Sequence, residues 1–141
     1  MLLTSDMSKT FDHESLNLKE YMPLVYTAIS KHYFYFRMQI SKYVIEQHKV
    51  PLNPFMIFDY FLIDSVDRKL VRRGNNNLVK RCDEVWVFGP VSDGVLAEIK
   101  IAKEEKKPIK YFKIEKSQRV VAISKNEVEL EDKVKEYKSE L

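Results

Sequence analysis

The chain has 141 residues, of which 45% are hydrophobic, and a net charge of +3 at pH 7. This length supports one domain with a buried core and is too short for two. The mild charge does not by itself predict nucleic-acid binding, and the single cysteine, Cys82, excludes an internal disulfide and is typical of a reducing cytoplasm.

Residues 1–21 are polar and lack a hydrophobic period, so we expect an N-terminal extension outside the core. They show neither the basic start nor the apolar stretch of a signal peptide. No run in the chain approaches the roughly 18 apolar residues that span a membrane. We therefore expect a cytoplasmic protein without a membrane segment.

The first half of the chain predicts strands and helices in alternation. Residues 24–29 form an apolar, β-rich run that indicates a buried strand. Helical spacing of apolar residues then predicts a helix over 33–48. Residues 50–53 read as a short strand whose prolines favour the margin of a sheet. The hydrophobic segment 55–68 has no clean period and is either a packed loop or a short helix.

The second half continues the alternation. Its predicted elements are a helix over 67–81 that is whole or broken near Gly74, strands at 85–88, 109–114 and 120–124, an amphipathic helix over 95–106, and a helix within 125–141. The core is expected to include Cys82 and Trp86.

This alternation predicts a single α/β domain of the Rossmann-like or flavodoxin-like type, with helices on both faces of a mostly parallel, about five-stranded sheet. The domain spans residues 22–124, and residues 125–141 form a C-terminal helix. In such sheets, ligands lie beyond the carboxyl ends of the strands. The loops at 30–33 and 89–94 are therefore the expected binding loops.

Glu98 is the acid for which a function is easiest to argue. It falls among Val95, Ile99 and Ala102, on the inward half of its predicted helix, where an unpaired carboxylate is unfavourable. Asp93 is the best candidate for the helix cap, and Glu98 lies too far from it for a capping box. A solvated glutamate favoured by the helix dipole and a functional carboxylate are both open at this point.

Four stretches of the sequence together resemble one known group of proteins. They are "PLVYTAIS" at 23–30, "RCDEVWVFG" at 81–89, "SDGVLAEI" at 92–99 followed by Ala102, and "KPIKYF" at 107–112. In this order they resemble the nucleoside 2-deoxyribosyltransferase-like superfamily. The sequence motifs are most similar to those of a branch of small proteins with a CDE-x-W-V-F-G, S-x-G and E-I pattern.

The resemblance implies a five-stranded parallel sheet and a glutamate that attacks C1′ of a nucleoside or nucleotide. Glu98 occupies the position of that glutamate, and Tyr26 that of a tyrosine whose hydroxyl orients it. A carboxylate below the sugar can stabilise the charge that develops as the N-glycosidic bond breaks, or form a glycosyl ester. From the residues alone, Tyr26 is equally well explained as a core tyrosine.

Ser92 lies where the superfamily contacts the 5′ end of the sugar. In the superfamily, enzymes that act on nucleosides tend to have an acid at this position, and enzymes that act on nucleotides tend to have a serine. The backbone N–H groups of Asp93 and Gly94 at a helix start suit a phosphate, although Asp93 is equally explained as the cap alone. The resemblance therefore favours a 5′-monophosphate.

Basic and amide side chains complete the candidate site. Lys31 and His32, with Arg37 further on, could supply countercharge to a phosphate, and a solvated basic loop is the alternative. Asn75 occupies the position of a superfamily aspartate that engages the base or helps proton transfer, and asparagine cannot protonate a leaving base. It is also explained as a residue of a polar loop. The basic run at 68–73 is interpreted as a solvated helix face.

We therefore expect cleavage or 2-deoxyribosyl transfer at the N-glycosidic bond of a (deoxy)nucleoside 5′-monophosphate through Glu98, with no cofactor. The scattered histidines predict no metal site. The expected partner is this small molecule, not nucleic acid or a membrane, and a homo-oligomer is predicted from the superfamily and the apolar stripe of the C-terminal helix. The alternatives are a nucleotide-binding or sensing module without catalysis, which Asn75 favours, and a pure interaction domain.

Overall fold

The strands form one sheet with the order of flavodoxin-like folds in the structure, a computed structural model that describes residues 9–58 and 60–141. They are β1 (Leu24–Ile29), β2 (Val50–Leu52), β3 (Glu84–Phe88), β4 (Ile109–Ile114) and β5 (Val120–Ile123), ordered β2-β1-β3-β4-β5. The first four strands pair in parallel, and β5 pairs with β4 antiparallel. The predicted α/β class with a mostly parallel, five-stranded sheet is confirmed.

The strand β5 is antiparallel because residues 115–119 close a tight hairpin. The Glu115 N–H donates to the Arg119 carbonyl at 2.9 Å, and the Gln118 N–H donates to the Glu115 carbonyl at 2.7 Å. Gln118 has a φ of 64°, which completes the turn without a glycine. A parallel return needs about a dozen residues or more. The fully parallel sheet implied by the resemblance is therefore wrong at its last strand.

Helices pack on both faces of the sheet. The α-helices are α1 (Arg37–Glu46), α2 (Pro54–Ile57), α3 (Tyr60–Ser65), α4 (Arg68–Arg81) and α5 (Asp93–Glu104), and 3-10 helices cover Glu14–Asn17, Lys31–Phe36, Lys125–Glu127 and Asp132–Glu140. The undecided segment 55–68 thus contains helical turns, and α4 continues unbroken through Gly74. Within the described part of the chain, no helix is long and apolar enough to cross a membrane.

Two apolar clusters, one on each face, hold the helices to the sheet. Because successive strand side chains point to opposite faces, Val25 packs with Trp86 on the α1 face, while Tyr26 packs with Ile99 on the face covered by α4 and α5. The predicted core positions Cys82 and Trp86 are 1% and 3% exposed. This alternation places the Tyr26 side chain beneath α5.

The C-terminal segment differs from the single helix predicted within 125–141. Leu130 forms a parallel bridge with Val91, and the Glu131 N–H donates to the Val91 carbonyl at 2.8 Å. These backbone bonds hold the chain extended between the two 3-10 helices, so one continuous helix cannot form. They also bring Glu131 next to the loop that follows β3.

The apolar stripe predicted on this segment faces inward. Val134 and Leu141 are buried in the protein's own core, and Tyr137 is 40% exposed. The stripe packs on this domain because the extended bridge at Leu130 turns the following residues toward α5. Val134 and Leu141 are therefore not available for the oligomer contact that was predicted for the stripe, and that contact stays a prediction.

The chain before β1 is exposed over residues 9–21. Residues 1–8 of the predicted extension lie outside the described residues, and the predicted boundaries after 21 and 124 stay predictions. The Tyr21 hydroxyl donates to the Asp83 carboxylate at 3.2 Å, and the Leu24 N–H donates to the same group at 2.7 Å. These bonds fix the entry to β1 beside the start of β3.

Candidate active site

A cleft of about 730 Å³ opens beyond the carboxyl ends of β1 and β3. After β1 the chain crosses toward one edge of the sheet, and after β3 it crosses toward the other. Doubly wound folds bind ligands in the crevice between two such strands. Seven of the nine residues predicted for the site line it: Lys31, His32, Asn75, Ser92, Asp93, Gly94 and Glu98. Tyr26 lies beneath the cleft and contacts Glu98, and Arg37 does not line the cleft.

Ser92 begins α5 and thereby sets the direction of Glu98. Its hydroxyl accepts the Val95 N–H at 3.3 Å and caps the helix. One helical face then buries Ile99 against the sheet and leaves Glu98 half-buried beside it. The inward position predicted for Glu98 is confirmed. The prediction of Asp93 as the cap is wrong, because the chain turns into the helix one residue earlier.

Two side chains hold one oxygen of Glu98. The Tyr26 hydroxyl donates to Oε2, and the Asn75 amide Nδ2 donates to the same oxygen at 2.8 Å. The Tyr26 hydroxyl also lies 3.0 Å from Asn75 Oδ1. The other oxygen, Oε1, accepts no hydrogen bond from the described residues. The predicted contact between Tyr26 and Glu98 is therefore observed, and Asn75 adds a second donor.

Burial changes the acid–base properties of this group. It raises the pKa of Glu98 from 4.5 to about 7, and the bonds from Tyr26 and Asn75 offset part of that rise because they favour the carboxylate. Burial, and then the nearby Glu98 carboxylate, hold the pKa of Tyr26 well above its usual value. Tyr26 therefore stays protonated, whereas Glu98 exchanges its proton near neutral pH.

The N–H groups of Gly94 and Val95 at the start of α5 are already bonded within the chain. The Asp93 carboxylate accepts the Gly94 N–H at 2.8 Å and pairs with Lys133 at 2.9 Å. The Lys133 ammonium holds the pKa of Asp93 below its usual value, so this acid stays ionised. A phosphate here would have to displace the Asp93 carboxylate from Gly94. The roles of Asp93 and Gly94 in substrate binding stay predictions.

The three cations predicted after β1 separate in space. Lys31 and His32 line the cleft, and His32 Nδ1 lies 3.2 Å from Glu131 Oε2 and 3.2 Å from Ser30 Oγ. Arg37 does not line it: its guanidinium donates to the Phe34 carbonyl at 3.1 Å and lies 4.0 Å from the centroid of the Phe34 ring. Arg37 as countercharge is therefore wrong, because the 3-10 helix over Lys31–Phe36 turns it toward Phe34.

Several cleft residues escaped prediction. Arg72 and Asn76 line the cleft beside Asn75 on α4, and their spacing of one helical turn was the signal that could have grouped them. Phe55 and Phe58 supply aromatic surface from the segment whose structure was undecided. Glu131 carried no local signal, since it reaches the cleft through the bridge of its neighbour Leu130 with Val91.

The arrangement combines a half-buried carboxylate with a bounded binding space. A carboxylate with one free oxygen can attack an electrophilic carbon or stabilise a cation beside it. The cleft volume lies in the range of small-molecule sites, about 300–1,000 Å³. Its lining joins aromatic rings to cationic side chains, which suits a ligand with a flat ring and an anionic group.

Comparisons with known proteins agree with this architecture. A family model described as Domain of unknown function (DUF7768) matches residues 25–112. A solved structure of a 2-desoxiribosyltransferase from Leishmania mexicana is similar, with a TM-score of 0.50 and 17% sequence identity over 66% of this chain and 65% of that chain. The match thus spans less than two thirds of that enzyme's length, and at this identity it shows a shared fold. A search of curated proteins found no match.

Proposed function

Because the chain belongs to the family described as Domain of unknown function (DUF7768) and carries Glu98 in its cleft, we propose that it cleaves or transfers the N-glycosidic bond of a (deoxy)nucleoside 5′-monophosphate. The observation that carries the proposal is the Glu98 carboxylate, which Tyr26 and Asn75 hold by one oxygen while the other stays free. The shared fold with a 2-desoxiribosyltransferase supports the same chemistry.

In the proposed reaction, Glu98 Oε1 attacks C1′ of the sugar from the face opposite the base. The C1′–N bond breaks, and its electron pair leaves with the base. The product is a glycosyl ester on Glu98. Attack of water on C1′ then gives hydrolysis, and attack of a second nucleobase gives transfer. Either step returns Glu98 as a carboxylate.

Tyr26 and Asn75 act in this proposal as positioning residues. Both donate to Oε2, so they fix the plane of the carboxylate and leave Oε1 to the substrate. They also favour the ionised form against the effect of burial. Since the pKa of Glu98 is about 7, the nucleophilic form increases through neutral pH and dominates above it.

Lys31 and Ser92 support a substrate with a 5′-phosphate. Lys31 lines the cleft and pairs with no acid among the described residues, so its charge is available to an anion. The Ser92 hydroxyl accepts from Val95 and can still donate its own hydrogen to a phosphate oxygen. His32 Nδ1 lies 3.2 Å from the Glu131 carboxylate, so His32 is the weaker candidate.

A homo-oligomer remains part of the proposal, on a different surface from the one predicted. Met56 and Ile57 of α2 and Leu70 of α4 are 54%, 48% and 55% exposed, and they lie on helices that border the cleft. We propose these side chains as the contact, because exposed apolar surface is typical of interaction sites. Light scattering after size exclusion tests this point. A cytoplasmic location stays a prediction from Cys82, which is buried and free.

The decisive experiment is to incubate the protein with nucleosides and nucleoside 5′-monophosphates and to follow free base by chromatography. We expect release from monophosphates by the wild type and loss of release in Glu98→Gln, which removes the nucleophile and keeps the volume. Glu104→Gln, the same change at an exposed position of α5, is the matched control.

Three outcomes separate the possibilities. Release that disappears only in Glu98→Gln supports the proposal. Equal release by both variants contradicts the role of Glu98. Binding without release by the wild type contradicts catalysis and supports a sensing module. Intact-protein mass spectrometry of a slow substrate would, in addition, detect the glycosyl ester as added sugar mass.

A further inference from the structure

The departing base poses a chemical problem that Glu98 does not solve. When the C1′–N bond breaks, the base takes the electron pair and carries negative charge. Asn75 cannot provide a proton. Burial and the Glu98 carboxylate hold the pKa of Tyr26 well above its usual value, so Tyr26 does not provide one near neutral pH either. Some other group must stabilise the base as it leaves.

Arg72 lies where such a group is needed. It lines the cleft from α4, one helical turn before Asn75, and Asn75 itself donates to Glu98 at 2.8 Å. Side chains at this spacing start about 5–6 Å apart on one helix face. Arg72 and Asn75 therefore lie on the same face of α4, which borders the cleft that also contains Glu98.

The Arg72 guanidinium is unpaired among the residues that the structure describes. It forms no ion pair or hydrogen bond with any described residue. By contrast, His32 in the same cleft pairs with Glu131, and Asp93 pairs with Lys133. An unpaired arginine over a cleft keeps its full charge and its fork of N–H donors for a ligand.

Phe55 and Phe58 complete a surface for a flat ring. Both line the cleft, and the Phe58 ring packs against α4 at Gly74, 3.3 Å from the position of an added Cβ. The aromatic wall and the guanidinium thus come from adjoining parts of the cleft. Rings give stacking surface, and the guanidinium gives directed donors.

From this juxtaposition we infer that Arg72 binds the edge of the leaving base and that the preferred base is a 6-oxopurine. This inference rests on the proposed function. A guanidinium donates two parallel N–H groups to the O6 and N7 acceptors of a 6-oxopurine. Adenine presents an amino donor in place of O6, and a pyrimidine has no counterpart of the O6 and N7 pair. The fork therefore discriminates among bases.

The same contact assists the reaction. As Glu98 Oε1 bonds to C1′ and the C1′–N9 bond breaks, the electron pair moves into the purine, where O6 and N7 share the charge. The Arg72 cation lies against these atoms and stabilises the anion. The base then takes one proton from water. No acid from the protein is required, which accounts for Asn75 in a position where a proton donor was expected.

Arg72→Gln tests the inference, with Arg73→Gln as control because Arg73 is exposed on the same helix and does not line the cleft. Three substrates are compared. Two are 2′-deoxyinosine 5′-monophosphate, whose base is hypoxanthine, and 2′-deoxyadenosine 5′-monophosphate. The third is 4-nitrophenyl 2-deoxyriboside 5-phosphate, whose leaving group departs without stabilisation by the protein. We expect Arg72→Gln to lose about 10- to 100-fold in kcat/KM on the hypoxanthine substrate, the value of one bidentate contact. The other two substrates should change less than about threefold.

Binding by calorimetry gives a second readout that does not need turnover. The wild type should bind inosine 5′-monophosphate more tightly than adenosine 5′-monophosphate, and Arg72→Gln should lose that preference. The inference would be overturned if the wild type released or bound the bases without a preference for the oxopurine. It would also be overturned if Arg72→Gln lost equally in kcat/KM on all three substrates. A preference in binding with no release from any substrate would overturn the proposed function and leave the base contact supported.

Discussion

Replacing Glu98 with glutamine isolates the effect of burying one carboxylate. The glutamine has nearly the same volume and can still accept from Tyr26 and Asn75, but it does not ionise. In the wild type, burial raises the pKa of Glu98 from 4.5 to about 7. Folding therefore favours the protonated form of this group. Its stabilising contribution is complete below pH 4.5 and is lost as the pH rises through 7.

The size of this loss follows from the two pKa values. The difference between 7 and 4.5, at about 1.4 kcal/mol per pH unit, corresponds to roughly 3 to 4 kcal/mol when the group is ionised in both states. Between pH 5 and pH 8 the wild type should lose roughly 2 to 3 kcal/mol of this amount. Solvent at the mouth of the cleft screens part of it, so about 2 kcal/mol is the expected difference from Glu98→Gln.

Urea denaturation at pH 5, 6, 7 and 8 measures this difference. The free energy of unfolding of Glu98→Gln should rise relative to the wild type as the pH increases, while the slope with denaturant stays the same. Glu104→Gln, at an exposed position of α5, controls for the general loss of one negative charge. Parallel pH profiles for the wild type and Glu98→Gln would refute the burial argument and with it the elevated pKa.

Three further substitutions test the local structure. Tyr26→Phe removes a donor from Glu98, worth about 1.5–3 kcal/mol for a charged acceptor, so the rise of activity with pH should move about 1–2 pH units higher. Ser92→Ala removes the cap of α5 and should lower the free energy of unfolding by about 0.5–2 kcal/mol; an unchanged value would argue against the cap. Gly89→Ala places a methyl 2.6 Å from the Tyr33 ring at a φ of 79°, so a drop of several degrees in Tm is expected, and no drop would contradict that contact.

Much of the fold follows from patterns within short stretches of the chain. The apolar runs of β1, β3 and β4 and the spacing of apolar residues in α5 predict their elements, because strand and helix periods depend on neighbouring residues. The same spacing indicates that Glu98 faces inward, which is observed. The 3-10 start before α1 and the hairpin before β5 were not predicted. Both depend on individual turns without a glycine or proline signal.

The site depended on contacts between residues far apart in the chain. Asn75 and Tyr26 are 49 residues apart, Tyr26 and Glu98 are 72 apart, and His32 and Glu131 are 99 apart. The resemblance indicated the pair of Tyr26 and Glu98 but not the amide that joins them. No local pattern encodes such contacts, since they arise when α4 and α5 pack side by side on one face of the sheet.

Short sequence patterns were enough to predict most strands and helices, the doubly wound class and the inward direction of Glu98. The side chains around Glu98 depend on how distant elements pack. That packing directs Arg37 toward Phe34, places Arg72 along the cleft and buries Val134 and Leu141 of the C-terminal stripe. Periodicity assigns a side chain to one face of its own element, whereas the packing of different elements determines what that face contacts.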